Sequence, residues 1–340
     1  MQSIVHIGMP RAASTWLQHR VFSRAINRRH LGRSNWKNRW LTDDSSPSFA
    51  NQPLHDLLWT VICWSNQTEF EAFLAENLDQ LRALLERSPY IVSQEMLLCP
   101  DYGKVPIDER LRRLAATFVG AKVLLITRRQ IDYLKSFHKI ALKGLGMTLS
   151  QREYVSLYTD SKFLGYGGVL NYLDIRDRLV GLGFEVCWLP YELLLQNPAE
   201  FLTRLVEAMD GDLDHSAISP DPVNAGDTED LDILRWLYNR QNPHFLSGDL
   251  LSFPIAESFL HNVRGNSPLA TRVQAEMKRS ANAWNLKMEH VSDNSEAIGN
   301  IDRNLWRSST KLDSRLMKLY EQSNRRLDDE SKMLLDFGYF

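Results

Sequence analysis

Arg11, Ser14 and Thr15 crowd into an eight-residue string that begins at a glycine, Gly8-Met9-Pro10-Arg11-Ala12-Ala13-Ser14-Thr15. A set of this kind binds an oxyanion: hydroxyls and backbone N–H groups donate to its oxygens while a guanidinium supplies the opposing full charge. Gly8 lets the chain turn and approach a ligand closely, Pro10 stiffens the turn, and Ala12 and Ala13 keep side chains out of the pocket. The β-branched run Ile4 to Ile7 ahead of it predicts a strand, and a helix is predicted to start near Ser14. The loop amides would then converge at a helix N-terminus. A helix dipole stabilises a nearby charge by only ~0.3 to 1 kcal/mol, so Arg11 is the cation the loop needs.

The nucleoside-triphosphate loop G-x-x-x-x-G-K-[ST] shares its first and last positions with Gly8 and Thr15, but Ala13 and Ser14 replace its second glycine and its lysine. Without that lysine, and without a convincing downstream strand ending in an aspartate for magnesium, a nucleotide kinase with a degenerate loop is the alternative reading. The order Pro10, Arg11, Ala12, Ala13, Ser14, Thr15, Trp16 resembles instead the 5'-phosphosulfate loop of sulfotransferases. Their pattern is a Pro, a Lys or Arg, two small residues, paired Ser/Thr, then an aromatic or apolar residue. Ala13 departs from the usual glycine, and Arg11 from the lysine of some branches.

Two further stretches carry the resemblance. The apolar run Val123 to Ile126 predicts a buried parallel strand; Arg128 closes it, Asp132 follows four positions later and Ser136 eight positions later. Asp132 and Ser136 share one helical face, and sulfotransferases place the nucleotide's 3'-phosphate on such an Arg and Ser. Phe184 to Leu189 predicts another strand, feeding Tyr191-Glu192 and a helix from Asn197-Pro198. By the resemblance Tyr191 lies near the adenine, with Trp16 stacking on it. The closing string LYEQSNRRLDDESKMLLDFGYF is also similar to the last helix of bacterial members.

The resemblance is to the bacterial carbohydrate-type branch. It implies an α/β fold, P-loop-like and three-layered, with a central parallel sheet and helical insertions. It also implies transfer of a sulfuryl group from 3'-phosphoadenosine 5'-phosphosulfate to a hydroxyl of a carbohydrate or glycan, leaving 3'-phosphoadenosine 5'-phosphate, with no metal. Arg11 would stabilise the departing phosphate oxygen. Arg11, Ala12, Ala13, Ser14, Thr15 and Trp16, with Arg128, Ser136 and Tyr191, would bind the donor. Glu95, just past a predicted strand Tyr90 to Ser93, is the candidate base. His138 is the runner-up, because two helical positions turn it about 200 degrees from Ser136. A non-catalytic nucleotide-binding relative is a further alternative.

Composition excludes other classes. The 340 residues are 44% hydrophobic and 24% charged, enough to bury a sizeable core, and a net charge of -2 gives no basic field for nucleic acid. Cys63, Cys99 and Cys187 fit reduced core thiols and a cytoplasmic setting. No stretch approaches a membrane span, and a first strand at Ser3 leaves no room for a signal peptide. The expectation is one domain over residues 1–340, with acceptor-binding helical insertions at 21–89 and 211–310; oligomeric state is not legible. The basic run Arg20, Arg24, Arg28, Arg29, Arg33, Lys37 and Arg39 reads as a solvated face, or, in Arg33 and Lys37, as an entrance for an anionic acceptor.

Overall fold

The structure is a computed structural model that describes residues 1–9, 12–31, 48–49, 52–87, 89–98, 104–144, 149–159, 170–214, 218, 232 and 306–331. Its strands are β1 (Ile4–Gly8), β2 (Arg29–Leu31), β3 (Ser48–Phe49), β4 (Gln52–Pro53), β5 (Tyr90–Ser93), β6 (Lys122–Thr127) and β7 (Glu185–Pro190). The helices are α1 (Ser14–Trp16), α2 (Leu54–Cys63), α3 (Gln67–Arg87), α4 (Ile107–Thr117), α5 (Gln130–Gly144), α6 (Gln151–Thr159), α7 (Tyr172–Gly181), α8 (Tyr191–Gln196), α9 (Pro198–Ala208) and α10 (Thr310–Ser331). Among these residues no helix is long and apolar enough to cross a membrane.

Five strands pair in parallel in the order β2-β5-β1-β6-β7, while β3 and β4 form a separate antiparallel ribbon. The protein is therefore α/β, as expected. Every residue of β1, β5 and β6 is buried, which is why these strands read as unbroken apolar runs rather than as alternating ones. The chain leaves β1 for β2 on one side of the sheet and leaves β6 for β7 on the other. That reversal falls between β1 and β6, and the carboxyl ends of the strands at such a point are where open α/β sheets bind ligands.

Polar signals start the helices where the sequence supplies them. Asn66 and Glu69 cap α3 reciprocally, at 2.8 and 2.9 Å. Asn197 accepts from the Glu200 N–H with Pro198 opening α9.

Three expectations are corrected. β2 was not legible in the sequence: three residues, two of them basic, show no period, and pairing with β5 is what makes them a strand. The helix from Ser14 keeps α geometry only to Trp16, then continues as a π-helical turn over Leu17–Val21 and a 3-10 turn over Phe22–Arg24. Arg28 lies beyond that helix and is not on a solvated face. Its side chain is fully buried and bonds Asp210 (2.7 Å), Asp212 (3.2 Å), and the carbonyls of Gln2 and Met209. Lys122 joins the same cluster through Asp210 (2.7 Å) and Glu185 (3.1 Å), so the amino ends of β6 and β7 are fastened to the end of α9. Arg33, Lys37 and Arg39 lie outside the described residues.

The chain forms two compact units. The first comprises 1–129, 168–223 and 320–340, and holds the whole sheet; the second comprises 130–167 and 224–319. Within the second, His138 is fully buried, its Nε2 2.8 Å from the Leu149 carbonyl and its ring packed against Tyr154 and Trp306.

Candidate functional site

The register brings the motif residues of the first unit level with one another. Gly8 pairs with Ile126, and Thr127 with Pro190, so Arg128 and Tyr191 each follow directly on a paired residue at the same edge. On the other side His6 pairs with Ser93; Glu95 stands two residues past that pair, as Gly8 does. Glu95 opens a short 3-10 turn, half-buried, directly after β5. All of these lie past the carboxyl ends of neighbouring parallel strands, where open α/β sheets bind ligands.

At the outer end of this row the Arg128 guanidinium lies 5.0 Å from the centre of the Tyr191 ring, a cation–π contact. Glu192, 7% exposed, accepts the Arg129 N–H at 2.8 Å, and the Tyr172 hydroxyl donates to the Arg128 carbonyl. Burial, reinforced by the Glu192 charge, pushes the Tyr172 phenol well above its ordinary range, which keeps it a donor. The Trp188 indole donates to Thr127 at 2.9 Å. The Arg128–Arg129 peptide is thus held at both its groups, by Tyr172 of α7 and Glu192 of α8, while Trp188 of β7 bonds the Thr127 side chain just before it. The sequence reading did not single out Tyr172 or Trp188. Glu192 could have been found there, since it completes the Tyr-Glu turn.

The Gly8 turn is closed by backbone bonds: Met9 N–H to Ile126 O and Ala12 N–H to Met9 O, both 3.0 Å. The Ala12 amide is therefore engaged within the turn. Ala13 takes φ 62° and ψ 9°, a left-handed conformation that a glycine would adopt without the strain of a Cβ. A Cβ on Gly8 would stand 3.1 Å from His6 Nε2 and 3.4 Å from both Ile126 O and Ser14 Oγ, so no side chain fits there comfortably. Ser14 is 1% exposed and its hydroxyl has no hydrogen-bond partner among the described residues. Thr15 is half-exposed.

Beneath the turn, His6 Nδ1 lies 2.8 Å from Ser93 Oγ, which also accepts from the Gln18 amide at 2.9 Å. Burial, with the nearby His30, pulls His6 down to about 3, so the ring is neutral. Trp16 is 4% exposed and meets Phe201 of α9 edge-on at 6.3 Å, a core contact. Ser136 lies 8% exposed on α5 in the second unit. Pro10 and Arg11 lie outside the described residues, as does Cys99. Cys63 and Cys187 are free thiols, pushed by burial to about 12 and about 11. Among the described residues no group of three or more His, Cys, Asp or Glu side chains could hold a metal ion.

The chain matches no family model and no curated protein. Among solved structures it is similar to a sulfotransferase from Alicyclobacillus acidocaldarius, at 13% identity over 72% of this chain and 97% of that one, with a TM-score of 0.40. It is also similar to the sulfotransferase domain of the Synechococcus PCC 7002 olefin synthase, at 14% identity, 76% and 94% coverage and TM-score 0.35. A sulfotransferase domain from the curacin biosynthetic pathway gives 13% identity, 82% and 98% coverage and TM-score 0.32.

Proposed function

We propose that the chain transfers a sulfuryl group from 3'-phosphoadenosine 5'-phosphosulfate to a hydroxyl of a carbohydrate or glycan, without a metal. The observation that carries this reading is Arg128 held against Tyr191 at 5.0 Å, on the strand next to the Gly8 turn. A cation beside an aromatic face suits a ligand that brings phosphate and purine together. At the other end of the ligand, the buried, unpartnered Ser14 hydroxyl and the bare face of Gly8 fit a phosphate oxygen. When bound, the donor supplies an activated sulfur–oxygen bond. Ser14 and Thr15 hold its 5' end, Arg128 its 3'-phosphate, and Tyr191 lies by its adenine. Arg11 opposes the charge that develops on the leaving oxygen, and Glu95, level with Gly8, takes the proton of the acceptor hydroxyl. The free thiols fit a cytoplasmic setting.

Calorimetry with adenosine 3',5'-bisphosphate, and transfer from labelled donor to a panel of glycan acceptors, test this. Arg128→Ala should weaken the bisphosphate about tenfold or more, the loss expected for a bond to a charged group. Glu95→Gln should cut transfer about 100-fold or more while leaving that affinity nearly unchanged. Binding that disappears with a chelator would favour the kinase reading, and no binding at all would end the proposal.

A further inference from the structure

We propose that His6 is a further donor to the oxyanion received at Gly8, sharing one of its oxygens with the Ser14 hydroxyl. This rests on the donor reading above and adds a residue to it from the floor of the loop.

His6 precedes Gly8 by two on β1, so both face the same side of the sheet. The ring is fully buried, and one nitrogen is fixed: Nδ1 lies 2.8 Å from Ser93 Oγ. The other, Nε2, has no partner among the described residues, and neither has Ser14 Oγ. Both front the same bare side of Gly8, 3.1 and 3.4 Å from the point a Cβ would occupy. Two buried polar atoms without partners, both beside Gly8, are costly unless something meets them both. An oxygen seated over Gly8 does so.

Gln18 donates to Ser93 Oγ at 2.9 Å, and His6 Nδ1 lies 2.8 Å from the same oxygen. In the proposed arrangement the Ser93 hydroxyl donates to His6 Nδ1, which puts the ring proton on Nε2, the atom that fronts Gly8. Gln18, Ser93 and His6 form a relay of donors running one way, toward the anion. The Phe22 ring, 5.2 Å from the imidazole, braces it. Because burial keeps the ring neutral, the contact supplies direction without charge and does not titrate across the neutral range.

Calorimetry on the full chain with two probes tests this. His6→Phe should weaken adenosine 3',5'-bisphosphate about tenfold or more, while leaving adenosine 3'-monophosphate, which lacks the 5' group, within about twofold. His6→Gln, whose amide nitrogen reaches toward the same place as Nε2, should restore most of the loss. In the wild-type protein, nitrogen NMR of the ring should find Nε2 protonated and shifted by the bisphosphate, at the same chemical shift from pH 6 to 8. Equal bisphosphate affinity in His6→Phe overturns the inference, as does an Nε2 resonance that ignores the ligand; the second holds even if the variant fails to fold. If the wild type binds no nucleotide but inorganic phosphate still shifts Nε2, the donor reading falls and the oxyanion contact stands. If neither probe acts, both fall.

Discussion

Ala13 sits at φ 62°, where a Cβ costs about 1 kcal/mol that glycine does not incur. Glycine would in turn loosen the unfolded chain, which offsets part of that difference. Ala13→Gly is therefore expected to raise the unfolding free energy by a few tenths to about 1 kcal/mol, read as a higher urea midpoint at unchanged slope. A lower midpoint would mean that the left-handed backbone is not what limits the loop. At this scale the sequence revealed residue type and little of orientation. That Ala13 replaces a glycine was visible; that its backbone is left-handed was not. Trp16 shows the limit as well: its place after the Ser-Thr pair invites a role beside a purine, yet its ring packs on Phe201, which is 185 positions away in the chain.

Between elements, two fastenings hold opposite ends of the sheet. At the amino end Arg28 and Asp212 have fully buried side chains, and removing one strands the other's charge in the interior. Arg28→Ala should lower stability by about 3 to 5 kcal/mol, and pairing it with Asp212→Asn should recover part of the loss. Equal stability of the single and double variants in thermal melts would show that Asp212 is already satisfied by the Asn27 amide groups. At the carboxyl end Glu192 clasps the Arg129 peptide, and Glu192→Ala should release Arg128 from Tyr191. The expected result is bisphosphate affinity reduced about tenfold with little loss in the melt; unchanged affinity would remove Glu192 from the site. Continuous apolar runs made β5 and β6 readable almost to the residue, because both faces of a central parallel strand are covered. Arg28 was misread for the opposite reason. Its burial is created by segments near residues 2, 122 and 210, and no local pattern records it.

For the whole molecule, two histidines buried among the described residues contribute to the response to acid. His6 in the first unit and His138 in the second are held to about 3 and about 4, chiefly by burial, against an ordinary value of 6.5. The unfolded chain therefore takes up protons that the folded one refuses. The stabilisation is complete above pH ~6.5 and drains away as pH falls toward the folded values, at roughly 1.4 kcal/mol per pH unit for each ring. Asp210, held below its ordinary range mainly by its bond to Lys122, extends the decline at lower pH. Urea titrations should show several kcal/mol lost between pH 6.5 and 4.5, and a His138→Gln variant should flatten part of that slope. A level profile would mean that both rings take up protons as readily in the folded state as in the unfolded one. The order in which the sheet is assembled also constrains how the protein is made. Of its strands the middle one leaves the ribosome first, yet β7, the edge strand beside β6, comes after the whole of α5 and α6. Until then β6 presents an unpaired, apolar rim, so a nascent chain stalled before that point is exposed to aggregation, and chaperone supply during translation becomes a determinant of yield.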